Sequence, residues 1–178
     1  MKHYTLIEHV ADALAKSTAL QTLMVTGEIP LTIQIGEDLQ NPVGKPDCPV
    51  VLISSGPTDC INGRDPKTHR LSIYACFVTS NEAIAVTDPE EEPEIPEDPP
   101  AWIDPTRRKV FGCVKTADDI CDAIRDAISA KFDALAKAGT AVLNLDSISR
   151  DIDSELQYPL VIAGNEIAIT DANPARST

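Results

Sequence analysis

The sequence predicts an α+β fold, a single mostly antiparallel or mixed β-sheet packed by two amphipathic α-helices. Three observations carry it. Ile120, Ile124, Ile128, Phe132 and Leu135 recur at four, four, four and three residues, the spacing that stacks side chains along one helical face. Leu6, Val10 and Leu14 repeat the pattern near the N-terminus. Between them, Leu71, Ile73, Ala75 and Phe77 alternate with Ser72, Tyr74, Cys76 and Val78, the two-residue period of a strand. A helix with one apolar stripe needs a flat apolar surface to cover, so helices and sheet belong to one core.

Taken in order, Tyr4 to Lys16 reads as the first helix, with Ile7, Ala11 and Ala13 beside its main stripe. Leu23 to Val25 suggests a short strand, and Leu31 to Ile35 a half-buried one. Gly36 and the Asn41-Pro42-Val43-Gly44-Lys45-Pro46 segment break the pattern. Pro49 to Ser54 holds Val50, Val51, Leu52 and Ile53 in succession, as a strand covered on both faces does. Gly, Pro, Asp and Asn then predict a loop from Ser55 to Thr68.

The strand from His69 to Thr79 is apolar enough on both sides to lie in the middle of the sheet, with a helix on one side and another layer or subunit on the other. Ala83 to Val86 extends a strand, and Val110 to Val114 leads into the main helix. That helix is expected from Thr116 to Lys137. Thr116 and Asp119 approximate a capping box, Asp118, Asp119 and Asp122 complement the dipole, and Gly139 ends it. Ala141 to Ile152 alternates again, with Val142, Ile148 and Ile152 in phase. Leu160 to Thr170 is the last strand, and its Gly164 predicts a bulge or kink.

At 178 residues the chain is sized for one domain, 1–178, with an acidic Pro-rich insertion at 81–106 and a frayed tail at 171–178. Net charge is −13, but nine of the 28 acidic residues fall between Glu82 and Asp104, where there is no Lys or Arg. The remainder is only mildly acidic. A broad basic face for DNA or anionic lipid is therefore disfavoured. No apolar run reaches the roughly 18 to 20 residues of a membrane span, and the first residues do not form a secretion signal, so a soluble chain made in a cytoplasm is expected.

The search for chemistry finds no convergent set. Five cysteines, Cys48, Cys60, Cys76, Cys113 and Cys121, include no C-x-x-C pair, so buried or free thiols are expected rather than a disulfide framework or a zinc site. His3 and His9 are six residues apart and His69 sits at a strand entrance; each reads as a surface or edge histidine. Ser54-Ser55-Gly56 lacks the G-x-S-x-G frame, no phosphate-binding glycine motif is present, and Asp47, Asp59 and Asp65 lack the register of a calcium loop. No catalytic residue, cofactor or metal ligand is assigned, and the expectation is a protein that is not an enzyme.

The acidic segment, with Asp88, Glu90, Glu91, Glu92 and Glu94 among five prolines, admits three readings. It is a solvated excursion, a contact arm anchored by Trp102 beside Ile103, or a weak binder of divalent ions. A small non-enzymatic module recognising a protein partner or cation through this loop is the alternative function.

The order of elements, with Arg70-Leu-Ser-Ile-Tyr-Ala75, Ala117 to Phe132, and Tyr158-Pro159-Leu160 leading to Glu166-Ile-Ala-Ile-Thr170, resembles the tail terminator (minor tail, or tail completion) proteins of long-tailed bacteriophages. The likeness covers most of the chain apart from the acidic insertion, which the compact version of that fold lacks. It implies a homo-oligomeric, hexameric ring on the end of the tail tube, which stops tube polymerisation and presents the surface where the head docks. The partners it implies are the tail tube protein and a head-completion or neck protein. DNA passes through the lumen without specific binding, and no membrane is involved. The place it implies is the head-proximal end of the virion tail, assembled in the host cytoplasm.

Overall fold

The computed structural model describes residues 3–25, 29–36, 40, 42–59, 68–78, 83–84, 110–153 and 160–171. Its helices are α1 (His3–Ala15), α2 (Thr18–Met24) and α3 (Gly112–Lys137); its strands are β1 (Thr32–Ile35), β2 (Val50–Asp59), β3 (Thr68–Val78), β4 (Ala83–Ile84), β5 (Val110–Phe111), β6 (Ala141–Asp153) and β7 (Leu160–Asp171). Five strands form one mixed sheet in the order β1-β2-β3-β7-β6, with β3 central as expected. Only β1 and β2 run parallel; the other three pairings are antiparallel. A parallel neighbour needs a crossover of a dozen or so residues, and 36–49 supplies it with a short 3-10 turn, Lys45–Asp47. β4 and β5 pair separately, Ala83 with Phe111 and Ile84 with Val110.

All three helices pack on one face of the sheet. Leu6, Val10 and Leu14 of α1, Leu20 and Met24 of α2, and Ile120, Ile124, Ile128 and Phe132 of α3 share a core with Val51, Ile53, Leu71, Ile73, Ala75, Phe77, Val161, Ala163, Ile167 and Ile169. The sheet residues are the odd-numbered positions of β2, β3 and β7, as the two-residue period requires.

Several expectations are corrected. Among the described residues the α-helices number three, because 18–24 forms α2 instead of a strand at 23–25: Ser17 caps it, its hydroxyl accepting from Leu20 N at 3.2 Å, and Leu20 and Met24 bury one turn apart. α3 begins at Gly112, so Thr116 is interior and the aspartates follow the first turn instead of occupying it. Its end is as expected. Gly139 adopts φ +67°, and bonds from Gly139 N to Ala136 O and from Thr140 N to Leu135 O, both 2.9 Å, make a Schellman motif.

Strand β2 does not stop at Ser54. It runs on through a one-residue shift between Ser55 and Thr58, where Gly-Pro marks a bulge instead of a loop. A Cβ on Gly56 would lie 3.1 Å from the Arg70 carbonyl oxygen, so the close approach of β3 selects glycine there. Gly164 sits in an unbroken ladder opposite Tyr74, and the irregularity falls instead in β6, between Asn144 and Ser149. Across that shift Val142 pairs with Thr170 but Ile152 with Ala163, positions of opposite phase in β7, so the two are not in phase. Asp171 closes β7 and is not part of a tail; 172–178 lie outside the described residues.

Candidate functional site

The sheet face turned away from the three α-helices is the first candidate. Its even-numbered positions carry a second, smaller cluster, Cys48, Cys76 and Leu160, with Val43, Val78 and Ile162 packed against it. Val50 joins them by register, opposite Cys76, and Leu52 lies opposite Tyr74. Leu52, Tyr74 and Ile162 are each half-buried, while Arg70 and Glu166 at the other end are exposed. The expectation of two apolar faces on the central strand therefore holds, and among the described residues no helix covers the second one.

The thiols on this face are structural. Burial pushes Cys76 up to about 11, with nearby Cys48 adding to the rise, and burial followed by the charge of Asp47 raises Cys48. Both stay protonated at neutral pH, so neither is a ready nucleophile or metal ligand. Cys121, on the helical side, is also a buried free thiol, its Sγ donating to Gly164 O at 3.6 Å. These three fit the expected buried or free thiols; Cys60 and the side chain of Cys113 lie outside what is described.

One histidine departs from expectation. His69 is an interior group, 2 % exposed, because its odd position in β3 points to the helical core. His3, the first residue of α1, approaches it with Nδ1 to Nδ1 at 2.9 Å and ring centroids 5.0 Å apart. Sequence reasoning compared His3 with His9, its neighbour along the chain, and had no means to pair residues 66 positions apart. The phase of His69 with Leu71 and Ile73 was the available signal.

A third feature lies between α1 and α3. Asp12 bridges Lys16 at 2.6 Å and Lys131 at 2.7 Å, above a shallow groove of ≈ 450 Å³ lined partly by Ala13, Ala127 and Ala130. The hydrogen bond from Lys131, then that from Lys16, holds the carboxyl down at about 2. A carboxylate with a depressed folded pKa stabilises the fold above its unfolded value near 3.8, and that contribution disappears as pH falls through 2. Asp12→Asn should therefore lower Tm at pH 7, with the gap to the parent closing between pH 4 and roughly 2 in a thermal melt series. A gap that stays constant down to acid pH excludes the charge as its source.

Asp88, Glu90, Glu91, Glu92, Glu94 and Trp102, the candidate interaction residues, lie outside the described residues, so their place relative to this face is open. Among the described residues no group of three or more His, Cys, Asp or Glu side chains converges as a metal site. No helix among them is long and apolar enough to cross a membrane. No protein-family model matches the chain, and a search of curated proteins finds no match to it.

Proposed function

We propose that this chain is a structural assembly protein of a long-tailed phage: a tail terminator that closes into a hexameric ring on the end of the tail tube, halts its growth and offers the head-docking surface. One observation supports the reading above others. The α-helices α1, α2 and α3 occupy one side of the sheet, and the other side carries the half-buried Leu52, Tyr74 and Ile162, with no α-helix over them among the described residues. A ring needs heterologous contacts, in which a patch on one copy meets a different patch on the next, and a partly apolar sheet face is suited to that use. In this reading the partners are further copies of the chain, the tail tube protein and a head-completion or neck protein, at the head-proximal end of the virion tail. The work done is contact, and no reaction is assigned to any residue. In this reading acidic residues lining the lumen would repel DNA and let it slide, as like charges do at close range.

Light scattering and negative-stain imaging of the purified chain, alone and with polymerising tail tube protein, test the proposal. The expected result is a closed ring, formed alone or on the tube end, with tube growth arrested. Tyr74→Asp combined with Leu52→Asp should abolish the ring and leave the circular dichroism spectrum unchanged. Rings that survive this double substitution exclude the face; tubes that lengthen unchecked in the presence of the folded chain exclude the function. Charge reversal at Glu90, Glu91, Glu92 and Glu94 that leaves assembly and DNA passage intact removes the acidic segment from the mechanism.

A further inference from the structure

The geometry points to a two-imidazole site for a borderline divalent cation of the zinc type, formed by His3 and His69. The two Nδ1 atoms face each other at 2.9 Å. In the metal-free protein that distance is an N–H···N hydrogen bond, which requires one ring to carry its proton on Nδ1 and the other to present a lone pair. Two metal–nitrogen bonds of about 2.0–2.1 Å span the same separation at an angle near 90°, and an opening of roughly 0.4 Å brings the angle to tetrahedral. A cation can therefore replace the bridging proton with little movement of either ring.

Proton balance is simple. The ring that held Nδ1–H takes the Nε2–H tautomer, so both imidazoles stay neutral and both Nδ1 lone pairs meet the metal. The two ligands also differ in mobility in a way that suits binding. His69 is fixed on the core face of the central strand, 2 % exposed, with Ile169 as its register partner in β7. His3 is the first residue of α1 and is only partly buried, so its ring can adjust and its outer side admits water to the remaining coordination positions. A bound cation would tie the start of α1 to the middle strand of the sheet. The inference is independent of the ring assembly proposed above.

The test is titration of the full chain with Zn²⁺ by calorimetry, and with Co²⁺ by proton NMR of the histidine rings. One equivalent of Zn²⁺ should bind with a Kd tighter than about 100 μM, and His3→Ala should weaken it at least roughly tenfold. Because a His69 variant removes a core side chain, His69 is examined in the unaltered protein: substoichiometric Co²⁺ should broaden the ring signals of His3 and His69 together. Affinity no tighter than about 1 mM, equal affinity in His3→Ala, or His69 signals that stay sharp while others broaden each overturn the site.

Discussion

Phe132→Ala should lower the free energy of unfolding by about 3–5 kcal/mol, a large share of the 5–15 kcal/mol typical of a whole domain. Phe132 is 1 % exposed and is the largest fully buried side chain among the described residues, set in the core shared by the three helices and the sheet. Truncation removes the burial of the ring and leaves a cavity that the surrounding Leu and Ile side chains fill only in part. For a chain of this length the loss corresponds to a fall in Tm of roughly 6–20 °C. Leu135→Ala is the control. Leu135 lies at the rim of the same stripe and is only partly buried, so its loss should be well under half as large. Urea unfolding at constant m-value reads both, and equal losses at the two positions are incompatible with this account of α3.

Asn165→Asp should cost about 3–5 kcal/mol at neutral pH, although it changes a single atom's worth of volume. Asn165 is 2 % exposed on the helical side of β7, where its Nδ2 donates to the Cys121 carbonyl oxygen at 3.2 Å. Its Oδ1 has no partner among the described residues. A carboxylate there sets one acceptor against another, the Cys121 carbonyl oxygen, with no solvent to screen them. Its folded pKa is thereby raised, so the folded state holds the proton more tightly than the unfolded one and the penalty grows as pH rises above about 4. At lower pH the protonated acid can donate to Cys121 as the amide does, and the variant should approach the parent. Asn165→Leu gives the opposite contrast: it removes an unsatisfied oxygen from the core and should be near neutral. Chemical denaturation at pH 3.5 and 7 distinguishes these outcomes, and a penalty independent of pH shows that shape, not charge, is responsible.

Periodicity made the central parts of the fold legible and its exceptions obscure. The α1 and α3 stripes and the β3 alternation are long repeats, and each repeat lands on the face it implies, Leu6, Val10 and Leu14 in one case and Ile120 to Phe132 in the other. Helix α2 is seven residues long and offers only Leu20 and Met24 as a repeat, too little to distinguish it from a strand without its Ser17 cap. The Gly56-Pro57 pair is punctuation in sequence, but a bulge absorbs it because β3 passes close beside Gly56. The His3–His69 contact was illegible for another reason: it is made by packing α1 onto the sheet, and nothing local in either segment encodes the distance between them. The sheet's second apolar face follows from the mixed composition of β3, where Tyr74, Cys76 and Val78 share the even positions.

The offset in β6 bears on how copies of this chain avoid adhering indiscriminately. Three more residues separate Asn144 from Ser149 than their partners Ala168 and Glu166 require in phase, so the outer margin of the sheet changes step partway along its thirteen residues. Fibril growth by strand addition needs an even, unbroken row of amide and carbonyl groups. A margin that changes step is a poor template for such growth.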